Sequence, residues 1–322
     1  MNRSCLLVGD LVYHERTIVA PLLAELTRRG YTVERAGGTM AFFIPDHYPR
    51  QVDEWVKDIP STLEPYDFVL FLDWFHPAVP LYLYRAMTGG HKPPFYGLLH
   101  GSVALEGDVA REIPGAVEYE RFLLDVYDAV FVHHLQFVQM VGGYHWPTGA
   151  LEVVPFPMDT VLAHLRPDLP ARRRVVFPHR WDFDKGNDTF TEFAHRAAAH
   201  GIECIVTAAP PPNAADLPVA FVGRLSPEAL RGLCAQGGYV WSSVRQDVVA
   251  YAVWECLAWG LHPLLSDHPA YWMFPPGTHW TSYNHALGMV LAGDRLDNET
   301  WETLTAPLRF NTRRMVDRLC IQ

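Results

Sequence analysis

Short β-branched or leucine-rich runs alternate with segments of helical length nearly from end to end, the pattern of parallel sheets covered by helices on both faces. In the first half, residues 4–9, 31–35, 67–73, 95–100, 129–133 and 151–154 read as strands. Residues 15–29 read as a helix stopped by Gly30. The alternation then restarts. Residues 175–177, 203–206, 219–222, 239–241 and 263–265 read as strands, and 187–199, 227–235 and 248–259 as helices. Residues 299–319 are amphipathic over a length that predicts one closing helix.

Between the halves lie Pro155-Phe156-Pro157-Met158-Asp159 and a polar stretch over 166–174, which read as an interdomain connection. The expected fold is α/β, with a Rossmann-like domain over 1–160, a second over 174–300, and a C-terminal helix over 301–322 that packs back towards the first. Length agrees, since 322 residues exceed the usual size of one domain and leave material for two cores.

Composition narrows the classes. The five cysteines are odd in number and form no C-x-x-C pair, so neither a disulfide framework nor a cysteine-rich zinc site is suggested, and a reducing, cytoplasmic setting fits. The apolar run at the N-terminus meets Asp10 too soon for a signal peptide. The longest apolar stretch, 248–265, carries Glu255 and His262, which predicts a buried helix and a strand rather than a transmembrane segment. A net charge of -10 disfavours broad electrostatic binding to nucleic acid. Arg172-Arg173-Arg174 and the arginines at 309, 313, 314 and 318 are the candidate basic patches, with a solvated linker and a solvated helix face as the plainer reading.

Two segments of the second half could carry chemistry. The first is Val175-Val176-Phe177-Pro178-His179-Arg180-Trp181-Asp182-Phe183-Asp184-Lys185-Gly186, a strand running into a loop with an arginine and a lysine, then a glycine and a helix. Such a loop can present a guanidinium and an ammonium to a pyrophosphate, with a positive helix end nearby. A surface salt-bridge loop is the alternative. The second is Asp247 and Glu255, eight apart at the start and middle of the helix expected over 248–259. At about 3.6 residues per turn that separation brings both carboxylates near one helical face, where they could grip sugar hydroxyls. An ionised glutamate in an apolar helix is costly unless it has a partner.

Arg180 and Lys185, then Asp247-x7-Glu255, then Trp259-Gly260-Leu261-His262-Pro263-Leu264-Leu265-Ser266-Asp267 together resemble the retaining GT-B glycosyltransferases of family 4 over roughly residues 175–274. The resemblance implies a GT-B fold, two Rossmann-like domains facing across a cleft, and a nucleotide-sugar donor, a GDP- or UDP-hexose, as co-substrate with no metal and no separate cofactor. It implies that Arg180 and Lys185 bind the diphosphate, Asp247 the hexose and Glu255 the ribose, with Phe221 and Gly223 close to the base and Val248 and Val249 in the glycine-bearing stretch of the family. The first acid is Asp here rather than Glu, and the usual glycines after Asp247 are Val248-Val249-Ala250.

In the first half the resemblance is architectural. His100, at the end of a strand and followed by Gly101-Ser102, matches a histidine that faces the donor sugar; a structural histidine is the alternative. Asp10, His14 and Ser102 are the acceptor-side candidates. Asp182-Phe183-Asp184 offers a competing D-x-D metal reading. His133, His134 and His145 lack zinc-site spacing.

The implied activity is hexose transfer to an acceptor hydroxyl, with retention. The string from Pro178 to Lys185, with Val154-Pro155-Phe156-Pro157-Met158-Asp159 before it, is also similar to mannosyltransferases that modify queuosine in transfer RNA, which adds a modified nucleoside in tRNA or DNA to saccharides, lipids and small metabolites as acceptors. The rival readings are a non-catalytic module that binds a sugar nucleotide, and a sugar-nucleotide epimerase of the same fold.

Overall fold

The structure, a computed structural model, describes residues 3–9, 15–37, 55–105, 108–144, 146–163, 169–245, 247–271 and 274–320. The chain forms two compact units, Met1–Asp159 with Phe310–Gln322, and Thr160–Arg309.

In the first unit β1 (Arg3–Val8) leads to a π-helical turn (Glu15–Val19) and α1 (Ala20–Arg28). There follow β2 (Tyr31–Ala36), β3 (Phe68–Phe71), α2 (Val79–Gly89), β4 (Phe95–Leu98), a 3-10 turn (Val109–Glu112), α3 (Ala116–Val126), β5 (Ala129–Val132), α4 (Leu135–Gly143) and β6 (Leu151–Val153). The six strands are parallel in the order β2-β1-β3-β4-β5-β6. β3, β4 and β5 are buried at every position, which is why they read as unbroken apolar runs instead of alternating ones. Phe71 packs edge-on against Phe95 and Tyr82 at the centre of this core. The helix expected over 15–29 opens as a π turn because Pro21, in the first turn of α1, has no N–H for the ladder.

The chain enters the second unit in α5 (Asp159–Leu162). Next come β7 (Arg174–Phe177), a 3-10 turn (Phe183–Lys185), α6 (Asn187–Ala198), β8 (Glu203–Val206), β9 (Ala220–Phe221), α7 (Pro227–Cys234), β10 (Tyr239–Ser242), α8 (Tyr251–Ala258), β11 (His262–Leu265), α9 (Tyr283–Ala292) and α10 (Asn298–Thr305). The strands are parallel in the order β11-β10-β7-β8-β9. Pro263 is tolerated because β11 is an edge strand, where a missing N–H costs no ladder bond on the open side. Phe177, Phe190, Phe193, Trp241 and Leu264 form the heart of this core. Each such side chain contributes about 1.5–3 kcal/mol by leaving water.

Two expected helices differ from what forms. The helix expected over 248–259 begins at Tyr251, because the consecutive β-branched Val248 and Val249 are buried in a non-helical approach. The closing helix expected over 299–319 is broken. α10 ends at Thr305, a 3-10 turn (Ala306–Leu308) containing Pro307 follows, and Phe310 turns at φ 70°, the one positive non-glycine φ among the described residues. Proline supplies no N–H to continue the ladder. α11 (Asn311–Leu319) then lies against α1 in the first unit, where Arg29 pairs with Asp317 and Arg318 with Glu152. Asp159 accepts the N–H groups of Phe310 at 2.6 Å and Thr312 at 2.9 Å, capping that helix.

Candidate functional site

In the second unit β8 and β9 extend the sheet on one side of β7, while β10 and β11 extend it on the other. The strand order therefore reverses between β7 and β10, the place beyond the carboxyl ends of strands where open α/β sheets bind ligands. The loops that leave β7 and β10 contain Arg180, Lys185 and Asp247.

The loop after β7 is a dense ion-pair cluster. Arg180, with 58% of its side chain exposed, pairs with Asp182 at 3.0 Å and with Asp184. Lys185 is largely buried and lies 3.5 Å from Asp184 and 3.4 Å from Asp247. The two carboxylates of the D-x-D string are thus engaged with Arg180 and Lys185. Among the described residues no group of three or more His, Cys, Asp or Glu is arranged to hold a metal ion.

Arg245 ties the two loops together. Its backbone N–H donates to Asp184 O at 2.8 Å, and its guanidinium donates to Phe183 O at 2.7 Å and to the Asp188 carboxylate at 2.7 Å. The same guanidinium lies 3.6 Å from the centre of the Phe183 ring. Beneath it, Gly186 stands at φ 75°, and a Cβ there would meet Ser243 O at 2.3 Å, so only glycine lets the chain after β10 come this close. α6 begins at this glycine, with its N-terminal N–H groups near the cluster.

His179, the first polar side chain after β7, points inward. Its Nε2 is 2.7 Å from Ser242 Oγ, which also contacts Tyr271 OH. Burial, helped by the Lys185 charge, pushes this imidazole down to about 4, so it is neutral near pH 7. Sequence reasoning assigned no role to His179 or Arg245. A polar residue directly after an unbroken apolar strand was the available signal for His179, and nothing in the sequence marked Arg245.

Asp247 and Glu255 do not lie on one helix. Asp247 lies four residues ahead of α8, in the loop beside Lys185, and Glu255 is in the helix, 9% exposed. Val248 and Val249 turn buried side chains into the unit. Phe221 ends β9 with its ring 5.1 Å from Trp181, and Gly223 follows at φ 73°.

In the first unit His100 follows β4 and packs against Phe156, ring centres 4.9 Å apart. Ser102 is fully buried, and its hydroxyl donates to Glu120 at 2.8 Å. Asp10 and His14 lie outside the described residues, as does His145. His133 accepts the Phe156 N–H at 3.0 Å, and His134 caps α4 through Gln136.

A sucrose-phosphate synthase from Thermosynechococcus elongatus is similar to this structure with a TM-score of 0.70 at 14% identity, 98% of each chain being covered. An Anabaena protein solved in complex with UDP and glucose is similar with a TM-score of 0.70 at 10% identity, over 100% of both chains. The fold is GT-B. The two parallel-sheet α/β units described above are the units of that GT-B fold. A Listeria monocytogenes protein described as a UDP-N-acetylglucosamine 2-epimerase shares it, with a TM-score of 0.60 at 11% identity over 98% of this chain and 95% of that one. No protein-family model and no curated protein sequence matches the chain. Among the described residues no helix is long and apolar enough to cross a membrane.

Proposed function

We propose that this protein is a glycosyltransferase that moves a hexose from a nucleotide-diphosphate sugar to an acceptor hydroxyl, with retention. The observation that carries the reading is the meeting of Lys185 with Asp247 where the strand order of the second sheet reverses. In this reading Arg180 and Lys185 hold the diphosphate, Asp247 takes hexose hydroxyls, Glu255 the ribose, and Phe221 and Gly223 flank the base. His100, in the first unit, is the further catalytic residue of this reading.

The bond from the anomeric carbon to the diphosphate oxygen breaks, the acceptor oxygen bonds to the same face, and its proton passes to the departing diphosphate. Positive charge placed where the leaving group gathers negative charge lowers that barrier. Arg180 and Lys185 supply it without a metal. Asp184 and Asp247 pair with the cations that a diphosphate would engage.

A thermal-shift screen against GDP, UDP, ADP and their hexose conjugates, repeated with Glu255→Ala, tests this. A ligand that binds the folded state raises Tm by mass action. One nucleotide should stabilise the wild type and lose that effect in the variant; no shift with any nucleotide removes the reading. The epimerase of the same fold favours a second reading, isomerisation of the donor sugar, which predicts a changed hexose still attached to its nucleotide.

A further inference from the structure

In the first unit the chain that leaves β4 is held from beneath by carboxyl groups of two separate elements. Asp108, ahead of the 3-10 turn, accepts the N–H of Ser102 at 3.0 Å and of Ala110 at 2.8 Å. Glu120, in α3 and fully buried, accepts the Ser102 hydroxyl at 2.8 Å and the Val103 N–H at 2.8 Å. Ser102 Oγ in turn accepts the Ala104 N–H at 3.1 Å, and Trp74 Nε1 donates to Gly101 O at 2.7 Å. A Cβ on Gly101 would stand 2.6 Å from Asp108 Oδ2, so this carboxyl is seated against bare backbone. All of these bonds but the one to Ala110 converge on the residues directly after His100.

A glutamate in a surface helix of an α/β unit ordinarily faces water, because burying a carboxyl without strong partners is costly. Glu120 instead spends both oxygens on one turn. We propose that Glu120 is a positioning residue for His100: its buried carboxyl fixes the turn over 101–104 and through it the place of the His100 ring at the carboxyl edge of the sheet. The proposal rests on the reading of His100 as a catalytic residue of the proposed transfer.

The charged groups facing Glu120 are Asp108 and, after β3, Asp73. Burial, against the Ser102 and Val103 hydrogen bonds and with added repulsion from Asp108 and Asp73, pushes the Glu120 carboxyl up to about 8. Asp73 is pushed up to about 7, by burial first and by Asp108 after that. The closed turn therefore favours a protonated Glu120, in which the contact with Ser102 Oγ reverses and the carboxyl O–H donates to it. Opening the turn to water returns this carboxyl to its ordinary value of 4.5. Between those two values the open form binds fewer protons, so rising pH favours opening. Protection of the turn amides should fall by up to about tenfold per pH unit across that window and level off above it.

The test is hydrogen exchange of the peptide covering 99–105 in the full chain from pH 5 to 9, corrected for intrinsic exchange, in wild type, Glu120→Gln and Glu120→Ala. Glutamine keeps the shape and stays neutral, so Glu120→Gln should hold the turn closed and lose most of the pH dependence. Glu120→Ala should be unprotected throughout. A Glu120→Gln protein with the wild-type slope overturns the proposal, whatever becomes of the alanine variant. In donor turnover, Glu120→Ala should lower kcat about tenfold or more with donor KM held within about twofold, and glutamine should restore it. A KM that rises in step with the loss of kcat overturns the positioning role. A wild type that shows the exchange slope but turns over no nucleotide sugar removes the proposed function and leaves the hold of Glu120 on the turn standing.

Discussion

Lys185 Nζ lies 3.4 Å from Asp247 Oδ2, joining two loops whose residues are 62 apart in the chain. Both side chains are mostly buried, so each depends on the other for its charge balance more than a surface pair would. In the proposed reaction a diphosphate would compete with Asp247 for Lys185 and leave the carboxylate to accept sugar hydroxyls.

Lys185→Ala should therefore cut the Tm shift given by the preferred nucleoside diphosphate and lower turnover by about 10²–10³-fold, the usual size for loss of one preorganised charge on a leaving group. Asp247→Asn should keep the diphosphate shift and lose the additional shift given by the hexose conjugate. Thermal shifts with the nucleotide and its sugar conjugate, side by side, separate the two roles. Equal loss in both variants would contradict the division of labour.

Arg245 touches no proposed ligand position, yet it fixes the distance between these loops. Arg245→Ala should weaken nucleotide binding about tenfold, because small displacements of binding groups are expensive. Arg245→Lys keeps the charge but not the forked hydrogen bonds, and should recover only part of the affinity. Titration calorimetry with the identified nucleotide measures both; an unchanged Kd in the alanine variant would show that the loops hold themselves.

Gly186→Ala meets two obstacles at once, a positive φ and the Ser243 carbonyl oxygen. The expected loss is about 2–4 kcal/mol in urea unfolding, the range for strain combined with overpacking. A variant within 0.5 kcal/mol of wild type, roughly the scatter for neutral surface changes, would mean that the β10 loop can move aside.

Three buried imidazoles should each subtract stability on mild acidification. Burial is the leading cause that pushes His76 and His179 down to about 4 and His133 to about 3. The unfolded chain binds protons on these rings near an ordinary value of 6.5, whereas the folded chain does not. Below that value unfolding takes up protons on these rings, so they subtract stability as pH falls from about 6.5 towards about 4, while the raised carboxyls of Glu120 and Asp73 contribute in the opposite direction. The urea midpoint of wild type minus that of His179→Gln should fall from pH 7 to 6 to 5; a difference independent of pH would contradict a buried neutral imidazole at 179.

Several elements were legible because their signals are local. β3 and β10 declare themselves through unbroken apolar runs, α1 ends at Gly30, and Arg180 with Lys185 falls directly after β7. The break before α11 was marked by Pro307 but masked by the amphipathic spacing on either side, and the late start of α8 was hidden because buried valines fit a buried helix and a buried loop equally well.

The sequence by itself determined the alternation of strand and helix and which residues stand immediately after strands, because these follow from hydrophobic period and backbone chemistry within a few residues. Only the tertiary structure decided that Asp247 meets Lys185 from a loop and not from a helix face, that Arg245 clasps both loops, and that Ser102 is buried on Glu120 instead of facing solvent. Those outcomes depend on which parallel strands become neighbours, and parallel pairing joins segments far apart in the chain, where no local spacing records the contact.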